Sequence, residues 1–223
     1  MSSIPLSLTV AVTAAVLSLP PAVAAAWYLE RTKLPGRDAL KTLILLPLVL
    51  PPVVVGYLLL RVFSPRGALG ALLDRAGAPV AFHWLGAVVA AAVVGFPLFV
   101  MAVGQAMQAV DPRYEAVSKI LGRSSWSTFF RVTLPLSWPG IVAGALLALA
   151  RGLGEFGATI VVAGRIPGET ETISLKIYAE LDAPGGEARI AGLVAASVAL
   201  CLVCVVASRY LERWYRSRLE LER

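Results

Sequence analysis

Few residues in this chain have the type and spacing to do chemistry. Arg151 and Glu155 stand four apart in an apolar stretch, so a helix sets them on one face. Charges in such a stretch are costly and turn toward a bundle interior or an aqueous path. The two are candidates either to line a route for solutes or to fix helix packing as an ion pair. Cys201 and Cys204 have the C-x-x-C spacing of some metal and redox sites. They lie inside an apolar run, however, with no second cysteine pair and with the single histidine, His83, far away in sequence. Small buried hydrophobes are the better reading of both. His83 itself reads as a packing or interfacial residue. No G-x-x-x-x-G-K-[ST] phosphate loop occurs, so energy from a nucleotide must come from elsewhere. One histidine cannot supply paired haem ligands, and no G-x-S-x-G motif gives a serine its base. An intramembrane enzyme is the alternative of another class, and the chain has little to offer it.

The elements that must hold these residues are legible from composition. Of 223 residues, 58% are hydrophobic and 15% charged, against roughly 25% charged in a soluble domain. The apolar residues fall in long blocks, and about 20 such residues cross a bilayer. The expected fold is an all-α integral membrane domain, one unit over residues 1–223, with five transmembrane helices. They run about Pro5 to Leu29, Ala39 to Val62, Ala81 to Met107, Leu136 to Val162 and Ile190 to Ala207. A sixth, short segment near Phe156 to Ala163 or in the outer loop is left open. The first run lacks a basic leader and is too long for a signal peptide, so it reads as a retained span.

The net charge of +6 sits in short stretches between the apolar blocks, a pattern of membrane topology rather than of a nucleic-acid groove. Arg31, Lys33, Arg37 and Lys41 follow the first span. Arg113, Lys119, Arg123 and Arg131 follow the third, and Arg209, Arg213, Arg216, Arg218 and Arg223 follow the fifth. The second connection has Arg61, Arg66 and Arg75. The fourth has Arg165 and Lys176 amid Glu169, Glu171, Glu180, Asp182 and Glu187. Basic connections stay in the cytoplasm, which places the N-terminus outside and the C-terminus inside. Pro20-Pro21, Pro51-Pro52 and Pro97 remove backbone donors within spans and are expected to bend them. Pro51 and Pro52 therefore join Arg151 and Glu155 as candidates for a pathway or for packing. Glycines 144, 152, 154 and 157 permit close helix approach.

The most informative connection lies between the third and fourth spans, about residues 108–135. Asp111 before Pro112 is a helix start. A short helix follows over Tyr114 to Leu121, and Gly122 ends it in a left-handed conformation. Ser124 or Ser125 caps a second short helix through Arg131, and Leu134-Pro135 leads into the next span. Val117, Ile120 and Leu121 form one apolar face. That face is either buried against its own bundle or offered to a partner groove.

This elbow resembles the EAA loop of type I ABC importer permeases, in which a Glu-Ala-Ala run precedes a glycine and, thirteen residues later, Leu-Pro. Gly122 and Pro135 keep that separation, with Val132 and Leu134 at the apolar positions. The usual glutamate position is Ala116 here, and Glu115 lies one residue earlier. Two more stretches, LPLVLPPVVVGYLLL (46–60) and ARGLGEFGATIVVAGRIPGETETISLKIY (150–178), are similar to molybdate permeases. Their LGEFG core is shared with sulfate carriers.

The resemblance implies a type I permease fold in a bacterial inner membrane, working as a homodimer around one pathway. It implies two ATP-binding cassette subunits as partners, a periplasmic molybdate-binding protein, and no cofactor in this chain, since the partner binds ATP. Coupling to the ATP-binding subunit would then fall to Glu115, Ala116, Val117, Ile120, Leu121, Gly122, Leu134 and Pro135. The implied substrate is molybdate, with tungstate beside it. A sulfate or thiosulfate permease of the same fold is the alternative. The acidic outer connection either meets the binding protein or is a solvated loop with a short surface helix.

Overall fold

The computed structural model describes residues 3–31, 35–181 and 183–221, giving the backbone alone for residue 68 and for 215–221. Lys33, Asp182 and Arg223 lie outside the described residues, as do the side chains of Arg216 and Arg218. The described chain is helical. α1 (Ser3–Arg31) is the first span, and α2 (Arg37–Val49) and α3 (Pro52–Phe63) follow. A short α4 (Ala68–Arg75) leads to the long α5 (Trp84–Gln108). The elbow is α6 (Pro112–Ile120) and α7 (Ser125–Thr128). A π-turn over Phe129–Thr133 carries α7 without interruption into α8 (Leu134–Leu153). α9 (Gly157–Val162), α10 (Ile173–Leu181) and α11 (Glu187–Leu221) complete the chain.

The core sits where α1, α5 and α8 pack together. Ala22, Ala26, Phe99, Val103, Met107 and Ile141 are buried there. In lipid, apolar burial by itself favours no helix pair, so close van der Waals packing must hold the bundle. Small residues supply it. A Cβ on Gly140 would lie 2.6 Å from that of Ala106, and one on Gly144 2.8 Å from that of Ala102. α11 is largely exposed and leans on α8, with Ser208 Oγ donating to the Ala143 carbonyl at 3.0 Å.

The first, third and fifth expected spans correspond to α1, α5 and α11. The other two need correction. The second is not one bent helix but two, set at 113°. A residue before proline is driven out of the α region, and two prolines in series do this twice. Leu50 (φ −68°, ψ 143°) and Pro51 (φ −54°, ψ 132°) are both extended. Pro51 and Pro52 are exposed, and the break brings Pro52 against Gly157 of α9. In α1 the same Pro-Pro pair stays helical, with Ser18 and Ala22 buried on either side. The expected fourth span, Leu136 to Val162, also ends early, at Leu153. The segment near Phe156 to Ala163 is α9, whose six residues are too short to cross a bilayer.

Candidate functional site

The elbow forms as its local chemistry dictates. The Asp111 carboxylate accepts the Arg113 N–H at 2.9 Å and starts α6, with Pro112 at the first helical position. Gly122 ends the helix at φ +77°, and the Gly122 N–H reaches the Lys119 carbonyl at 2.9 Å. Ser124 Oγ then accepts the Ser127 N–H at 3.3 Å to start α7.

Of the two placements open for the apolar face, the outward one is found. Val117 is 56% exposed, Ile120 84% and Leu121 70%, and Ala116 is exposed beside them. Pro135 is exposed in the first turn of α8. Glu115 and Leu134 turn inward instead. Leu134 packs among Trp27, Phe129 and Trp138 around an apolar cavity of about 320 Å³. The Glu115 carboxylate meets Arg31 Nη2 at 3.0 Å and accepts the Thr133 hydroxyl at 2.9 Å, both on Oε1. Arg31 Nη2 also donates to the Met107 carbonyl at 2.7 Å. Ser118 and Thr128 share a buried hydrogen bond of 3.0 Å between the two short helices. Arg31 was read only as topological charge, because a partner 84 positions away in sequence leaves no local signal.

A second constellation forms where the two broken helices meet. A Cβ on Gly157 would lie 2.8 Å from Pro52 Cβ, so the start of α9 rests on the start of α3. Glu155 bridges the break after α8. Its Oε2 accepts Arg151 Nη1 at 2.9 Å, and its Oε1 accepts the Ala158 N–H at 2.9 Å. Glu155 is 3% exposed, Arg151 about a third, and Gly154 in the break is exposed. Irregular backbone and a guanidinium at membrane depth must face protein or water, not lipid. The sequence brought Pro51, Pro52, Arg151 and Glu155 forward separately, and the fold places them at one junction. Gly152 packs toward Ala11 and Ala91 within the chain.

Three further polar groups, Glu30, Gln105 and Gln108, were missed. Glu30, Lys41, Gln105 and Gln108 line a cavity of about 440 Å³ between α1, α2 and α5, with Gln108 Nε2 donating to Glu30 at 2.6 Å. His83 caps α5, its Nδ1 accepting the Leu85 N–H at 3.4 Å. The connection from α9 to α11 is firmly built. Buried Thr170 accepts the Ile166 N–H at 2.8 Å, and Glu171 and Glu180 pair with Arg165 and Arg189 at 3.0 and 2.8 Å.

Comparison with known proteins converges on one group. The molybdenum transport system permease protein ModB of Escherichia coli K12 is 48% identical over 96% of this chain and 93% of its own length. That of Haemophilus influenzae is 43% identical over 98% of this chain and 96% of its own. The E. coli sulfate transport system permease protein CysT is 39% identical over 78% of this chain and 64% of its own length. Among solved structures, the MetNI methionine ABC transporter in inward-facing form matches at a TM-score of 0.67 and 14% identity, covering 96% of this chain and 94% of that one. A bacterial ABC transporter involved in import of the acidic polysaccharide alginate matches at 0.60 and 20% identity, covering 96% and 78%. These two carry the fold alone, and it is that of type I ABC importer permeases. A family described as "Binding-protein-dependent transport system inner membrane component" matches residues 22–217. An elbow with an outward apolar face, a bundle of apolar spans and near full-length relatives thus agree: the chain belongs to this family of multi-pass inner-membrane importer permeases.

Proposed function

We propose that the chain is the translocating subunit of an ATP-driven importer for molybdate, and for tungstate as a close tetrahedral analogue. Two copies surround one pathway, two ATP-binding subunits sit in the cytoplasm, and a periplasmic binding protein delivers the oxyanion. The N-terminus is periplasmic and the C-terminus cytoplasmic, the orientation that the basic connections favour. ATP binds in the partner, since this sequence has no phosphate loop.

The observation that carries this reading is the elbow. Ala116, Val117, Ile120 and Leu121 stand exposed on a short, capped helix that is tied into the span bundle. An exposed apolar helix face of this size fits a hydrophobic groove on a partner. Full-length relatives named as molybdenum permeases favour molybdate, and the sulfate relative aligns over a smaller part of both chains.

The test is uptake into proteoliposomes that hold the chain with its ATP-binding subunit and receive the binding protein outside. ATP-dependent accumulation of molybdate, uncompeted by a hundredfold excess of sulfate, is the expected result. Accumulation of sulfate without molybdate would establish the sulfate reading instead.

A further inference from the structure

We propose that Glu115 and Arg31 form the joint that passes movement of the α6 elbow into the span bundle, with Glu115 a positioning residue rather than a contact for the partner. The inference rests on the importer reading above.

Three elements converge on one carboxylate oxygen. Glu115 Oε1, on α6, meets Arg31 Nη2 at the end of α1 and Thr133 Oγ1 at the end of the π-turn. Arg31 Nη2 continues the link to the Met107 carbonyl near the end of α5. The side chains of Glu115 and Arg31 are 15% and 21% exposed, so both bonds are largely shielded from water. Charge-assisted bonds in such surroundings are stronger and more directional than neutral ones.

Little else holds α6. Its apolar side chains point outward, and among the described residues the other side-chain hydrogen bond from α6 to a neighbouring element is the neutral Ser118–Thr128 bond to α7. The load therefore enters the bundle at Glu115. It arrives beside the π-turn, a wider helical turn of the kind often found at functional sites. A cavity of about 70 Å³ lined by Trp27, Arg31, Glu115, Lys119, Thr128 and Thr133 adjoins the joint. Arg31 Nε is buried beside it without a hydrogen-bond partner among the described residues. The joint is thus tied at one end of the guanidinium and loosely packed around it, an arrangement that can pivot.

The experiment measures molybdate uptake and ATP hydrolysis together in proteoliposomes of the full importer. The variants are Glu115→Gln, Arg31→Gln, their double, and Thr133→Val as a milder change. Each single charge variant should keep hydrolysis within about twofold while uptake per ATP falls at least tenfold. Thr133→Val should lower it about threefold. The double should lose no more than the worse single, since both act through one bond. Uptake and hydrolysis falling in proportion would overturn the joint, as would losses that multiply in the double or uptake per ATP that never changes. If a charge variant fails to assemble, the ratio for Thr133→Val decides, and an unchanged ratio sinks the proposal. Wild-type vesicles that hydrolyse ATP without moving molybdate would count against the importer reading, not against the joint.

Discussion

A methyl group on Gly56 would stand 2.8 Å from the carbonyl oxygen of Ala158 and 2.9 Å from its Cα, so α3 and α9 touch backbone to backbone. This contact seats the two broken helices against each other and fixes the junction that carries Pro52, Gly157 and Glu155.

Gly56→Ala is expected to force that junction open. Alanine improves helix propensity by up to about 1 kcal/mol, but overpacking against backbone costs about 1–3 kcal/mol. The clash wins because the Ala158 backbone cannot rotate aside as a side chain can. Thermal unfolding in detergent should show a lower midpoint and uptake should fall. Gly192→Ala on α11, where an added Cβ meets nothing within 4 Å, is the control and should unfold no earlier than wild type. A Gly56→Ala protein as stable as that control would contradict the close packing.

Gly122 tests conformation rather than space. An added Cβ there also meets nothing within 4 Å, yet φ is +77°. A left-handed backbone costs an ordinary residue about 1–2 kcal/mol, most for a β-branched one and least for asparagine. Gly122→Val should therefore shift the elbow and cut uptake per ATP several-fold. Gly122→Asn should stay within twofold of wild type. Equal behaviour of the two would show that the left-handed turn does not matter to coupling.

Ile120, at 84% exposure, is the most prominent apolar side chain on the elbow. Ile120→Asp loses no internal contact of consequence, so the isolated permease should unfold at its usual temperature. Recovery of the ATP-binding subunit on affinity purification should drop at least tenfold, because a carboxylate entering an apolar groove is left unpaired. Undiminished recovery would place the docking contact elsewhere.

Local chemistry made much of this legible. Asp111-Pro112, Gly122 and Ser124 are caps whose effects act over a few residues, and each was found in its expected role. Apolar block length gave three of the five spans, α1, α5 and α11, for the same reason. Two kinds of feature were not legible. The Pro20-Pro21 and Pro51-Pro52 pairs read alike and both are exposed, yet only the second breaks its helix, while α1 keeps Ser18 and Ala22 buried on either side of its pair. Contacts distant in sequence, such as Arg31 with Glu115 and Gly56 with Ala158, depend on how helices assemble and have no period or motif. Glu115 illustrates the point. A motif comparison alone presents it as a displaced partner contact, whereas in the fold its carboxylate is already engaged.

The Arg151–Glu155 pair can be assigned between packing and pathway by comparing one charge removed with two. Arg151→Gln leaves a carboxylate at 3% exposure without its paired cation, still accepting the Ala158 N–H. Removing one partner of a fully buried pair costs about 3–5 kcal/mol, and replacing both is often neutral. The cost here falls below that range, since Arg151 is about a third exposed and partly screened by its surroundings. In the double Arg151→Gln/Glu155→Gln, the glutamine carbonyl still accepts the Ala158 N–H and no charge is stranded. The single should unfold earlier than wild type, and the double should recover most of the loss. Every contact of Glu155 described here is internal, so uptake should recover with stability. A double that regains its unfolding temperature yet transports at less than a tenth of the wild-type rate would show that the guanidinium serves the passing oxyanion.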